Sequence, residues 1–320
     1  MPGAIGAGSY IAYEEETTEG TAVTPTAMHW IDSVDIHAKP SFETVEPLGT
    51  NGNAFPAARS LFVTEIQSGG SLACSCYYDT DWCLVLMKHA YGAVATGGSG
   101  PYTYTYTLSK AQPVKPSLTL EVVKGTDGPA NNAETFAGCR VQRLVRRVST
   151  GSKVVLTADI IAQSAAARTT PTGSLSYPSG PNLAYHADVT AFVFNSVTYT
   201  DVMEHVLTVD KALARTPELG SLVTAAPIQD GLGNVTVEVR LRWYSNASYL
   251  ALQAGTVAAG SCTITDGTRS IVDTYPRMQV IEASEPVSGA GIMEQRVVFQ
   301  CLDDETDGPV KTVFTNGVAP

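Results

Sequence analysis

Val235-Thr236-Val237-Glu238-Val239-Arg240-Leu241-Arg242-Trp243 alternates apolar and polar side chains without a break. In an extended chain successive side chains point to opposite faces, so the valines, Leu241 and Trp243 form one apolar face and Thr236, Glu238 and the two arginines form the other. The stretch reads as a half-buried β-strand, and the segments around it read the same way. Tyr102, Tyr104, Tyr106 and Leu108 alternate with threonines, and Leu118, Leu120 and Val122 alternate with Thr119 and Glu121. Aromatic and β-branched residues of this kind suit a pleated surface. Helices are few. Asp81 is placed to cap one that carries Trp82, Val85, Leu86 and His89 on one side and stops at Gly92; Asn246 to Gly255 repeats the design, with Tyr249, Leu250 and Leu252 inside. Residues 211 to 219 could add a helical turn, although Thr216-Pro217 opposes it.

The order of elements is repeated. Ser33-Val34 opens a strand, a long polar excursion follows, and Ser60-Leu61, Ile66-Gln67 and Gly69 lead into the helix closed by Gly92. Ser196-Val197, Ser221-Leu222, Ile228-Gln229, Gly231 and Gly255 retrace that path, and each half ends in strands, Cys139 to Ile161 and Arg277 to Leu302. An internal duplication is expected. It divides the chain into an N-terminal arm at 1–26, a first β domain at 27–170, a linker at 171–182 and a second β domain at 183–320. The excursions His37 to Ser60 and Asp201 to Ser221 hold little apolar surface and exceed the ~12 to 15 residues usual for an unstructured loop, so neighbouring subunits are expected to order them.

With 320 residues the chain exceeds the ~100 to 200 usual for one domain. Charged residues make up 16%, under the roughly 25% of an average protein, and the formal charge is -11. A protein that grips phosphates needs Lys and Arg to displace counterions, so this balance opposes a nucleic-acid binder. The N-terminus has neither a basic start nor a long apolar core, and no segment nears the ~18 apolar residues of a membrane span. The chain therefore reads as made and folded in a cytosol. Cys74, Cys76, Cys139, Cys262 and Cys301 lie in strand-like runs and Cys83 at a helix start, which suits small core residues. Cys74, Cys76 and Cys83 lack a fourth zinc ligand at finger or ribbon spacing.

No reaction centre is legible. The five histidines are scattered, and nucleophile elbow, Walker loop, HExxH and dinucleotide fingerprint are all missing. The chain reads as no enzyme, with no cofactor and no metal. Asp303-Asp304-Glu305-Thr306-Asp307-Gly308 is similar to the start of a calcium loop, but Phe314 stands where the bidentate Glu belongs, so an acidic turn is the better reading. Arg140, Arg143, Arg146, Arg147 and Lys153 form the one basic cluster. Without interleaved aromatics it does not suit nucleic acid. Pairing with Glu14, Glu15 and Glu16 of a neighbouring copy is one reading, and a solvated face is the other.

The segment SYIAYEEETTEGTAVTPT at Ser9 to Thr26 closely resembles the "GEETTYGTAVTPT" opening of tail tube proteins from long-tailed, non-contractile bacteriophages. The segments after it match in kind: a strand, a long hairpin, a Gly-led strand and a short helix over Ser33 to Gly92, then the Tyr/Thr strand, "PSLTLEV" at Pro116 to Val122, and Gly138-Cys139-Arg140-Val141. The resemblance covers about 160 residues well and the second half by pattern. It implies tandem β-sandwich or barrel domains, each with a flanking helix, that assemble into stacked rings whose joined sheets line a lumen for DNA ejection. With two such units per chain, three chains would build a ring that looks six-fold. The arm and loops would grip the next ring. Partners implied are the chain itself, the tape measure, tail terminator and distal tail proteins, and DNA passing without specific binding, in a virion assembled in the host cytoplasm and with no membrane. A carbohydrate-binding or adhesive β-module, suggested by the Tyr-rich strands and acidic loops, is the alternative.

Overall fold

The computed structural model describes residues 8–44, 61–108, 117–125, 132–173, 175–178, 182–243, 245–285 and 293–317. They are mainly β, with twenty strands and two α-helices. The first ten strands are β1 (Tyr10–Glu15), β2 (Ala27–Trp30), β3 (Ser33–Thr44), β4 (Leu61–Ser75), β5 (Gly92–Gly97), β6 (Tyr102–Leu108), β7 (Leu118–Val123), β8 (Ala133–Ser149), β9 (Val155–Ala162) and β10 (Ser164–Ala165), with α1 (Asp81–Tyr91) between β4 and β5. The second ten are β11 (Val189–Phe194), β12 (Val197–Tyr199), β13 (Val202–Asp210), β14 (Leu213–Thr216), β15 (Ala225–Gln229), β16 (Asn234–Arg242), β17 (Val257–Thr265), β18 (Ser270–Ser284), β19 (Glu294–Leu302) and β20 (Lys311–Asn316), with α2 (Ala247–Ala254) between β16 and β17. The alternating stretch that decided the fold class is β16, with Val235, Val237, Val239 and Leu241 all buried.

All pairings are antiparallel, and those of the first ten strands recur in the second ten. β1 pairs β2 and β7, β7 pairs β8, β8 pairs β9 and β10, β9 pairs β4, and β4 pairs β3. In the same places β11 pairs β12 and β17, β17 pairs β18, β18 pairs β19 and β20, β19 pairs β16, and β16 pairs β13. Even the irregularities match. Val141 faces Ile160 just before a bulge that ends at Arg143, and Val280 faces Phe299 just before a bulge that ends at Glu282. A bulge re-aims its strand, so both long strands turn at one point. β5–β6 and β14–β15 fall outside this correspondence.

The two sets meet where β13 pairs β8 from Glu204↔Ser149 to Asp210↔Arg143, and again where β20 pairs β6 from Lys311↔Thr107 to Asn316↔Tyr102. One sheet therefore runs β3–β4–β9–β8–β13–β16–β19–β18, and its inner face packs on a single apolar cluster built from both sets. α1 fills the first end of that cluster with Trp82, Leu86, Met87 and Tyr91, the Trp82 ring lying 4.6 Å from Tyr13 of β1. Gly92 and Gly255 end the two helices in the left-handed conformation, φ 99° and 60°, which glycine adopts without a Cβ penalty. Thr80, not Asp81, is the N-cap of α1; Asp81 is the first helical residue, where its charge suits the helix dipole.

Other expectations are corrected. Tyr249 and Leu250 of α2 are 44% and 59% exposed where an interior was expected. The β5–β6 hairpin that follows α1 packs on it, as Tyr106 Oη donating to Leu84 O at 3.2 Å marks, whereas α2 is followed directly by β17. Residues 213–216 form strand β14 instead of a helical turn, paired with β15. The described parts of the excursions make contacts within the chain: β3 and β4 pair out to Thr44↔Leu61, and Arg215 Nη1 donates to Ser68 O at 2.7 Å. Ile66 N likewise donates to Leu222 O at 2.7 Å. Residues 45–60 lie outside the described residues. Within the stretch expected as a linker at 171–182, Thr172 donates twice to Glu121 and Tyr177 stacks on Trp30 at 5.1 Å.

Candidate assembly interface

The acidic triplet and the arginine cluster find partners within the chain. Residues 10–15 form β1 between β2 and β7, and Ile11 and Ala12 are fully buried, so this part of the expected arm belongs to the interior. Thr26 Oγ1 donates to Glu14. Glu15 takes Lys88 Nζ at 2.6 Å and His89 Nε2 at 3.2 Å from the end of α1; the His89 hydrogen bond, then Lys88, hold its carboxyl down at about 2. Burial lowers the pKa of His89 itself, against the raising effect of the Glu15 carboxylate.

Glu16 is fully buried and accepts from Gly20 N at 2.7 Å, Thr119 Oγ1 at 2.9 Å, Gly138 N at 2.8 Å and Ser117 Oγ. Such a carboxylate fastens three distant segments. Glu16→Ala strands two main-chain donors at roughly 1–3 kcal/mol each, so a loss of about 2 to 6 kcal/mol is expected in chemical denaturation. A loss below 1 kcal/mol, on the order of an exposed substitution, would contradict this role.

Arg140 pairs Glu19, Arg143 lies 4.0 Å from Asp159, Arg146 pairs the buried Asp273, and Arg147 meets Glu204 at 2.5 Å. Each of these arginines thus has a carboxylate partner in its own chain. Sequence reading missed them because each pair is brought together by sheet register across 16 to 127 positions, which no local pattern encodes. On the outer face of the sheet the pairs join up. Arg240 reaches Glu204 and Glu294, and Arg296 bridges Glu238 at 2.5 Å and Glu282 at 2.7 Å.

His205 lies on the inner face, within 3.3 Å of Tyr275 Oη. Burial first, and the guanidinium of Arg146 second, push its pKa from 6.5 to about 3. The unfolded chain takes a proton as the pH falls through 6.5 and the folded chain not until about 3, so stability is lost progressively over that window, at ~1.4 kcal/mol per unit of separation. Urea midpoints of the native chain should fall between pH 7 and 4 more steeply than those of His205→Gln; equal slopes would contradict the assignment.

The six cysteines are free and buried, and no group of three His, Cys, Asp or Glu able to hold a metal is present among the described residues. In the acidic turn Asp303 Oδ1 accepts from Glu305 N at 2.9 Å, and Asp304 Oδ1 from Thr306 N at 3.0 Å and Asp307 N at 2.8 Å. Asp307 of the same turn pairs with Lys311 at 3.2 Å.

Several strands keep one side unpaired among the described residues, and two of these edges belong to the long sheet that joins the two sets. β3 pairs β4 and has no strand on its other side, and β18 beyond Gln279 pairs only β19. Exposed apolar side chains stand beside both: Phe42 at 56% and Phe62 at 54% on the β3–β4 hairpin, and Ile281 at 49% on β18. An edge of unpaired N–H and C=O groups is a template for another strand. Among the described residues no helix is long and apolar enough to cross a membrane. A comparison with curated proteins finds no match. A family model described as phage tail tube protein matches residues 6–301.

Proposed function

The chain belongs to the phage tail tube protein family, a family of structural tail components, and from that premise we propose that it is the repeating subunit of a hollow tube through which DNA is ejected. In this reading the two sets of strands are copies of one tube unit, close to the 27–170 and 183–320 division but with β1 included in the first. Three chains build a ring of six units, and rings stack into the tail tube of a non-contractile, siphovirus-type virion. The observation that carries the reading is the β8–β13 junction, where two equivalent sets already join edge to edge into one sheet. A sheet that repeats such a junction around a ring has no exposed edge left.

The outer sheet face suits a conduit. Arg143, Arg147, Arg240 and Arg296 are each held by carboxylates, which leaves few free cations to release counterions from passing phosphates. The tape measure, terminator and distal tail proteins are the partners at the ends of the tube, and assembly takes place in the host cytoplasm. Negative-stain imaging of the purified chain tests the proposal: rings or hollow tubes are expected, and isolated particles at every concentration tried would overturn it.

A further inference from the structure

The β8–β13 junction is a template for a contact that the single chain leaves open. β3 holds in the first set the place that β13 holds in the second, since each is the hairpin partner of the next strand, β4 or β16. β18 beyond its bulge holds the place of β8 beyond its bulge. Within the chain Asp210 stands opposite Arg143, Val209 opposite Leu144 and Thr208 opposite Val145. Carried through the matching registers of β4–β9 and β16–β19, these pairs become Lys39 and Glu282, Ala38 and Ala283, and His37 and Ser284. We propose that a second copy of this chain docks by adding its β3 antiparallel to β18 in that register. The inference rests on the reading that the chain builds rings, and it specifies the surfaces and alignment by which one copy receives the next.

Independent features agree with the register. The outward pair keeps opposite charges with the sides exchanged, Lys39 against Glu282 where the internal junction has Asp210 against Arg143, and opposite charges placed directly across strands attract. Ala38 and Ala283 fall on the inner face, where Val209 and Leu144 are buried. Ala38 N–H, lacking a strand on that side, reaches Glu134 Oε1 at a long 3.4 Å, so a neighbour's carbonyl would be a better partner. Pro40 has no N–H to donate, whereas Lys211 N in the matching place donates to Gln142 O, so the added pairing ends at Lys39. Just past it, Leu213 O accepts from Gln142 Nε2 at 3.0 Å. The positions matching Leu213 and Gln142 are the exposed Phe42 and Ile281, which the docking would cover. The contact is head to tail, so each copy offers one edge of each kind and the series ends only by closing into a ring.

Disulfide trapping tests the register. With Ala38→Cys and Ala283→Cys in one chain, assembled protein under mild oxidation should give a ladder of covalent multimers on a non-reducing gel, while either single variant gives none. The native thiols are buried and do not compete. Pairing Ala38→Cys with Ile281→Cys, two residues out of register, should give no ladder. Tubes that form without the in-register ladder, or with an equal out-of-register one, would overturn the inference and leave the ring reading standing; a native chain that never assembles would overturn the ring reading itself. If the double-cysteine chain does not assemble, charge reversal decides. Lys39→Glu and Glu282→Lys should each raise the concentration needed for assembly about three- to ten-fold, and the double variant should bring it back. Failure of the double variant to recover would refute the pairing.

Discussion

Deletion of residues 1–20 is expected to abolish folding, giving a chain without a cooperative unfolding transition. The deletion removes β1, whose Tyr10, Ile11 and Tyr13 are 8%, 0% and 6% exposed, together with Glu16 at the centre of four hydrogen bonds. Burying three large side chains contributes roughly 5 to 9 kcal/mol, as much as the ~5–15 kcal/mol that holds a typical protein together. β7 would also lose its partner on one side, since β1 pairs it from Tyr10↔Val123 to Glu15↔Leu118. A soluble truncated chain with a native melting temperature would place β1 outside the interior and contradict the fold described here. A deletion that stops at residue 7 leaves β1 whole and is the control.

The second large effect is expected at Arg146. It lies on β8 of the first set, 2% exposed, and pairs Asp273 on β18 of the second, 0% exposed; Asp273 also accepts from Thr312 Oγ1 at 2.7 Å. Arg146→Leu leaves an uncompensated buried carboxylate, and breaking a buried pair from one side costs about 3–5 kcal/mol. Replacing both partners with apolar residues of similar volume should recover most of that loss, because the desolvation of both charges is relieved together. A double-mutant cycle in urea measures it. Single and double variants of equal stability would show that the pair does not couple the two sets.

Much of this architecture was legible in the sequence, and the exceptions have physical causes. The alternation of 235–243 located β16, and Gly92 and Gly255 marked where the helices stop, since each signal is written in neighbouring residues. Tyr249 and Leu250 carry the same helical pattern as the buried face of α1. Periodicity says which side chains share a face and not whether anything covers it, and α2 has no counterpart of the β5–β6 hairpin that packs on α1. Residues 213–216 were open to a helical reading because their pairing with β15 lies beyond Pro217, out of range of local propensity. The Glu15 contacts with Lys88 and His89 join positions far apart in the chain, so the triplet looked free when it was not. Open edges are the least legible feature, for a strand with one partner and a strand with two can carry identical alternation.

We propose that one chain supplies two equivalent tube units joined in a single sheet. Native mass measurement of isolated rings tests it most directly. Rings of three copies of the 33.7 kDa chain, six units in all, are expected; rings of six copies, or a mass that stays at one copy whatever the concentration, would refute the two-unit organisation.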